Sequence, residues 1–294
     1  MIKLAIVIPY YKYTFFDQCL ESLANQTNKN FIVYVGDDSS PEDPTDLISK
    51  YSQVINIKYV RFDTNLGAQS LIMQWDRCID LIEDEEWIML LGDDDKLSNN
   101  AVEDFYNSLS EIVSNDINVV RCNVIEIDGE NNVLREFYYP KYELASTSYI
   151  KKIEENYHIT LPEYIFSKTT YKKFGFKHFP FAFGSDNVAW IEFSEGKEIY
   201  TMPNAICYMR LSTINISGNN SNIKEKVFAK YLTHVYIIDN LLNYFDNIQQ
   251  KIILKKGYKY LLFSNSRNYL ERFYYFLKVI KYLTIKDIKL IFFS

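Results

Sequence analysis

Three aspartates stand side by side at Asp93, Asp94 and Asp95, directly after the apolar run WIMLL and a single glycine, Gly92. Adjacent carboxylates disfavour each other's ionisation, so such a cluster needs full solvation or a positive charge nearby. A second acidic pair, Asp37 and Asp38, ends another apolar run, FIVYVG. The chain contains no GxGxxG and no GxxxxGK[ST], so no glycine-rich phosphate cradle is encoded. Carboxylates facing a phosphate ligand need a cation between them, and hard oxygen ligands favour Mg2+ or Mn2+. The pattern points to a metal-bridged nucleotide diphosphate. The competing reading is a solvated turn that caps the next helix.

The elements that must position these acids alternate. LAIVIPY, NFIVYVGDD, INIKYVRF and EWIMLLGDDD read as strands, the first as a continuous apolar strand of the kind buried in a parallel sheet. FFDQCLESLANQ, PEDPTDLISKYS and the stretch after NLGAQS read as helices. PEDPTDLISKYS carries Pro and acids in its first turn, which suits the helix dipole. This order implies right-handed crossovers, a mostly parallel central sheet and an α/β fold. Ligands of open α/β sheets bind beyond the carboxyl ends of the strands, so both acidic clusters face one crevice.

At 294 residues the chain holds one large domain, or one domain plus an appendage. Four widely spaced cysteines, Cys19, Cys78, Cys122 and Cys207, read as reduced core residues of a cytosolic protein. The N-terminal apolar run breaks at Pro9 and reads as a strand rather than a signal peptide. No uncharged apolar stretch is long enough to span a bilayer. His158, His178 and His234 make no triad or metal spacing with the cysteines and read as surface or packing residues.

IVIPYYK, VGDDSSPED, RFDTNLG, MQWDRCIDL and LLGDDD, in this order and spacing, resemble the signature of glycosyltransferase family 2 on a GT-A fold. Looser likeness continues through GSDNVAWIEF and YMRLSTINIS. The resemblance implies an inverting transfer of sugar from a UDP-sugar donor to a glycan or lipid-linked glycan acceptor, with Mn2+ or Mg2+ as cofactor. Bacterial surface polysaccharide is the destination it implies. Pro9, Tyr10 and Tyr11 would form the loop lining the base pocket, and Asp38 would accept the imide N–H of uracil. Arg61 and Gly67 would lie beside base and ribose. Asp94 would face ribose or metal, with Asp95 and Asp93 as metal ligands. The commoner family pattern has an acid where this chain has Gly92 and a small residue at 93. Arg210 would meet the diphosphate at the head of a closing loop, where Ser212 stands in place of a frequent His. The alternatives are a surface linker for that loop and an ion pair with a nearby acid for Arg61. Arg77 reads as a helix-face charge outside the site.

An inverting transfer needs a base for the acceptor hydroxyl. Asp186, after Gly184–Ser185, matches the family's acid, although Ser185 replaces the acid that commonly precedes it. Otherwise Asp186 caps the helix it opens. Glu192 and Glu195 are weaker candidates farther along.

From Ile223 to the end, 13 Lys/Arg face 5 Asp/Glu, whereas the whole chain is net −6. This sets a catalytic domain, 1–222, against a basic, aromatic-rich helical region, 223–294. The tail fits either an anionic membrane surface or packing on the catalytic domain with its lysines in solvent. An oligomer built through these helices is a further expectation. No motif supports nucleic-acid binding. The expected location is cytoplasmic and peripheral on the inner membrane face. Two other functions stay open: a metal-dependent nucleotidyltransferase, against which IPYYKYTFF lacks the glycines of a phosphate loop, and a non-catalytic glycan- or partner-binding member of the fold.

Overall fold

The computed structural model describes residues 3–155, 157–211, 223–263 and 269–284. The first half follows the expected alternation: β1 (Leu4–Tyr10), α1 (Phe16–Ala24), β2 (Phe31–Asp37), α2 (Thr45–Tyr51), β3 (Ile57–Arg61), α3 (Leu71–Ile79) and β4 (Trp87–Leu90). A short β5 (Lys96–Leu97) leads to α4 (Ala101–Ser114), β6 (Val119–Ile127), β7 (Val133–Phe137) and β8 (Tyr142–Leu144). Then come α5 (Ala145–Glu155), β9 (Tyr164–Ser167), α6 (Lys168–Phe174), α7 (Ser185–Phe193) and β10 (Glu198–Arg210). Three further helices close the described chain: α8 (Ile223–Asn240), α9 (Asn247–Phe263) and α10 (Tyr269–Val279).

One sheet runs in the order β3-β2-β1-β4-β9-β6-β10-β5. β3, β2, β1 and β4 are all parallel, as are β6 and β10. β9 is antiparallel to both of its neighbours and joins the two parallel blocks. The strands alternate sides with period two. Leu4, Ile6 and Ile8 enter one core with α1 and α4, while Ala5 and Val7 enter the other with α3 and α7.

The second core does not stop at residue 222. Ile237, Ile238 and Leu241 of α8, Ile253 and Leu254 of α9, and Tyr275 and Val279 of α10 share it with Val7, Ile88 and Trp190. The C-terminal helices therefore pack on the sheet layer. α10 also turns a second apolar face outward, with Leu270, Phe273, Tyr274 and Leu277 at least half exposed. No helix among the described residues is long and apolar enough to cross a membrane.

A buried arginine ties the second half of the sheet to its neighbours. Arg121 of β6 is fully buried and donates to Thr201 Oγ1 on β10 at 3.0 Å, Ser148 Oγ on α5 at 3.0 Å and Glu143 Oε2 on β8 at 2.7 Å. Its guanidinium also lies 4.1 Å from the Tyr139 ring centroid. Removing one partner of a buried ion pair leaves the other charge uncompensated. Arg121→Ala should therefore lower unfolding free energy by about 3–5 kcal/mol in urea titration. A loss no larger than that of an ordinary surface substitution would show that the network is not a structural tie.

Candidate active site

The acidic turn begins where β4 ends. Leu91 N still donates to Val7 O at 2.9 Å, and the chain then reverses at Gly92. A methyl group on Gly92 would lie 2.6 Å from Asp95 Oδ2 and 2.9 Å from Asp94 Oδ1. Only glycine lets these two carboxylates fold over the backbone and converge. Asp93 takes another direction: its Oδ2 accepts the backbone N–H groups of Tyr11 at 2.8 Å and Lys12 at 2.7 Å. It thereby pins the chain leaving β1 to the chain leaving β4. Asp95 Oδ1 accepts Arg210 N at 2.9 Å.

Burial and mutual repulsion shift these acids. Loss of solvent, then the Asp94 charge, pushes Asp93 up to about 7. The same two causes, in the same order, raise Asp95 well above the ordinary carboxylate range. Among the described residues, no three His, Cys, Asp or Glu side chains converge into a ready-made metal cage. The donor chemistry nevertheless fits a hard divalent cation. Asp94 and Asp95 converge, their oxygens are the right type, and the raised carboxyl marks negative charge short of compensation.

Arg210 braces the turn. Its Nε donates to Asp94 O at 2.9 Å, Nη1 to Asp128 O at 2.8 Å, and Nη2 to Gln18 Oε1 and Asn131 Oδ1 at 2.9 and 3.1 Å. The guanidinium lies 4.2 Å from the Phe15 ring centroid and the residue is buried. In this arrangement it holds the acidic loop, α1 and the β6–β7 turn together. The loop expected to follow it, at 212–222, lies outside the described residues.

The two acids at the end of β2 divide their work. Asp37 accepts Tyr59 OH and Arg61 Nη1, both at 2.7 Å, and Ser40 N at 2.8 Å. It is fully buried and serves the β2–β3 edge. Arg61 thus takes the ion pair, with Asp37 rather than a surface acid, and also donates to Ser40 O at 2.9 Å. Asp38 accepts Leu66 N at 2.7 Å and Gly67 N at 2.8 Å, and Arg77 Nη2 pairs with its Oδ1. A carboxylate offers about four acceptor positions, so Asp38 keeps capacity for one further donor.

Two expectations need correction. Pro9 and Tyr10 lie within β1 rather than in a loop. Tyr10 is fully buried against Phe16 and donates to Glu42 O at 2.8 Å, so it cannot line a pocket. Only Tyr11 stands beyond the strand, partly exposed. Arg77, expected as a helix-face charge, instead turns toward the end of β2: it pairs with Asp38, donates to Thr64 O at 2.9 Å and stacks 3.9 Å from the Phe62 ring centroid. A signal was present. Gln74, Arg77 and Cys78 share one face of α3, and polar residues on the inward face of an amphipathic helix need partners. Gln74 Nε2 donates to Gly36 O at 3.0 Å.

Asp186 opens α7 behind a strained turn. Phe181, Ala182 and Gly184 all have positive φ, at 55°, 58° and 90°. Such backbone costs of order 1–3 kcal/mol per non-glycine residue and collects at functional sites. A methyl group on Gly184 would meet Thr233 Oγ1 of α8 at 2.3 Å. The Asp186 carboxylate is fixed by its neighbour: Asn187 N and Asn187 Nδ2 both donate to Oδ1 at 2.8 Å. Desolvation raises Asp186 above its ordinary value, while the Lys152 charge and the Asn187 N–H pull it back.

A buried chain of hydrogen bonds in the second half is announced by no local sequence pattern. His158 Nδ1 sits 3.0 Å from Glu126 Oε1 and Nε2 3.1 Å from Thr160 Oγ1, which donates to Glu163 Oε2 at 2.6 Å. Trp190 of α7 donates to Thr160 O at 3.0 Å, so the helix carrying Asp186 rests on this relay. His158 and His234 are indeed packed inside. All four cysteines are buried and reduced.

A parallel β3-β2-β1-β4 block, a glycine-hinged acidic turn beyond it and a second half closed by β9, β6 and β10 define the GT-A glycosyltransferase architecture. The chain belongs to glycosyl transferase family 2, whose model matches residues 5–187. It is therefore a glycosyltransferase of the nucleotide-sugar type. Among solved structures, S. aureus TarS 1-349 in complex with UDP-GlcNAc is similar with a TM-score of 0.67 and 16% identity, covering 98% of this chain and 81% of that one. The mannosyltransferase PcManGT from Pyrobaculum calidifontis, with GDP-Man and Mn2+, gives 0.59 and 11%, covering 98% and 78%. GalNAc-T7 with UDP, GalNAc and Mn2+ gives 0.53 and 12%, covering 94% and 58%. No curated protein matches the sequence.

Because Asp93 holds a proton more tightly folded than unfolded, it favours the folded state only while protonated. Stability without divalent ion should fall as pH rises from about 4 towards 7. Asp93→Asn keeps an oxygen for the two amides and should flatten that fall in urea titrations at successive pH values. Parallel curves for the two proteins would show that Asp93 carries no such penalty.

Proposed function

We propose that this protein transfers a sugar, with inversion, from a UDP-sugar to a glycan or lipid-linked glycan acceptor. The observation that carries the reading is the convergence of Asp94 Oδ1 and Asp95 Oδ2 over Gly92, at the carboxyl end of the parallel strands. Asp38, half-saturated by the 66–67 amides and oriented by Arg77, accepts the uracil imide N–H through its remaining capacity. Tyr11 and Gly67 stand beside it. Asp94 and Asp95 hold Mn2+ or Mg2+, as Mn2+ in two of the similar structures supports. When bound, the cation offsets the charge of the departing diphosphate. Asp93 holds the β1 exit loop against this turn, and Arg210 keeps the turn in place.

Asp186 is the base. Both hydrogen bonds from Asn187 fall on Oδ1, which leaves Oδ2 to receive the proton of the acceptor hydroxyl. The acceptor oxygen bonds to the anomeric carbon as the bond from that carbon to the diphosphate breaks on the opposite face. The raised carboxyl suits a group that must take a proton near neutral pH. Peripheral attachment of the basic C-terminal helices to anionic lipid belongs to the same proposal, with the outward ridge of α10 as its apolar part.

Asp186→Asn should retain UDP binding and lose turnover by about 10²- to 10⁴-fold. Near wild-type kcat in that variant would move the role to another acid. Asp95→Asn should abolish divalent-dependent UDP affinity, read by calorimetry with and without Mn2+. Unchanged Mn2+-dependent affinity would contradict the cation site.

A further inference from the structure

Two buried polar atoms near the start of α7 have no protein hydrogen-bond partner among the described residues: the Tyr164 hydroxyl and Asn187 Oδ1. Both residues border one cavity. Its polar wall is Tyr164 of β9, Ser148 of α5 and Asn187 of α7, and Ile159, Trp190 and Ile199 contribute apolar surface. All six are buried. About 10 Å³ of the cavity is open to the centre of a water molecule, which is room for a water and too little for a sugar or a phosphate.

Sheet register and helix packing bring these groups together. Tyr164 lies directly opposite Arg121 in the antiparallel pair of β9 and β6. Its ring stacks on Trp190, one turn beyond Asn187 on α7, with centroids 4.2 Å apart and planes 17° from parallel. Arg121 Nη1 donates to Ser148 Oγ at 3.0 Å, so the hydrogen of that hydroxyl is directed elsewhere. Asn187 turns Nδ2 to Asp186 Oδ1 at 2.8 Å. The opposite amide orientation would set oxygen against carboxylate, so Oδ1 is the end left for the cavity. Burial pushes the Tyr164 phenol up, against the pull of the Arg121 charge, and the phenol keeps the hydrogen it can donate. A hydroxyl or amide oxygen buried without a partner is unfavourable, and polar cavities take up water where apolar ones stay dry.

We propose that this cavity binds a single ordered water, which accepts from the Tyr164 and Ser148 hydroxyls and donates to Asn187 Oδ1. That gives it about three hydrogen bonds, the usual number for a buried water. Tyr164 is thereby a positioning residue. Through the water it fixes the Asn187 amide, and through the amide it fixes the carboxylate of Asp186. The catalytic meaning of this tie rests on the reading of Asp186 as base; the water site does not.

The test uses the full chain, Tyr164→Phe and Tyr139→Phe. Tyr164→Phe keeps the ring on Trp190 and removes only the hydroxyl. Tyr139→Phe removes another buried hydroxyl, bonded to His158 O at 3.1 Å and outside the cavity wall, and controls for general loosening. High-resolution crystal structures should show a water within hydrogen-bond distance of Tyr164 Oη, Ser148 Oγ and Asn187 Oδ1 in the wild type and in Tyr139→Phe, and none there in Tyr164→Phe. A dry cavity in the wild type overturns the site. The second readout is the titration of Asp186, followed by carboxyl carbon NMR and assigned with Asp186→Asn. A loosened Asn187 donor stabilises the carboxylate less, so Tyr164→Phe should raise the midpoint by about half a pH unit or more. Lys152, Tyr149 and Glu163, whose charges bear on Asp186, are kept in both variants. An unchanged midpoint in Tyr164→Phe, or an equal rise in Tyr139→Phe, overturns the positioning role. Should Tyr164→Phe not fold, Ser148→Ala removes the other hydroxyl and carries the same comparison. If Asp186→Asn keeps wild-type turnover the base reading falls, while the water and the titration still report on the tie between Tyr164 and Asp186.

Discussion

The structure is organised around an electrostatic problem: several carboxylates crowded at the end of a buried strand, only partly open to water. Desolvation and mutual repulsion both oppose their charge. The surrounding chain answers with oriented N–H groups from Tyr11, Lys12 and Arg210, which hold Asp93 and Asp95 without neutralising them. What remains is a concentrated negative potential in a low-dielectric crevice. A divalent cation is the species best suited to that potential. The glycine at 92 is the geometric counterpart of this chemistry, because any side chain there would displace the two carboxylates that converge.

The other half of the molecule is built differently. β9 inverts the strand direction and is followed in the sheet by the parallel pair β6 and β10, with α5, α7 and α8 packed on one another in this half. Arg121 and the His158 relay fill the interior between them with paired polar groups. Buried networks of this kind are worth most when every member is satisfied, and they hold helix α7 at a fixed height. Asp186 stands in the first turn of that helix, its carboxylate fixed by Asn187.

Much of this was legible in the sequence because parallel strands and their helices carry strong local periodicity. The four N-terminal strands, three helices and the two acidic turns appear where their patterns place them. Asp38, Asp94, Asp95 and Asp186 stand at or just beyond element ends, and Gly67 lies in the β3–α3 connection, so local pattern alone marks them. Tyr10 misled because a Tyr–Tyr pair after proline looks like loop, yet strand register points its ring into the core. Arg77 misled because a helix shows its period in sequence but not what faces its polar residues. His158 meets Glu126 from 32 residues away and Trp190 meets Thr160 from 30, and no local pattern announces such meetings.

The most direct test of the central claim is the number of protons released when Mn2+ binds together with UDP. It is read by titration calorimetry in buffers of differing ionisation enthalpy. If the acidic turn is held partly protonated until a cation arrives, binding at pH 6 releases protons, and the number falls as pH rises past the Asp93 midpoint near about 7. Heats that are independent of buffer at every pH would mean that the acids are already fully ionised, and would contradict the account.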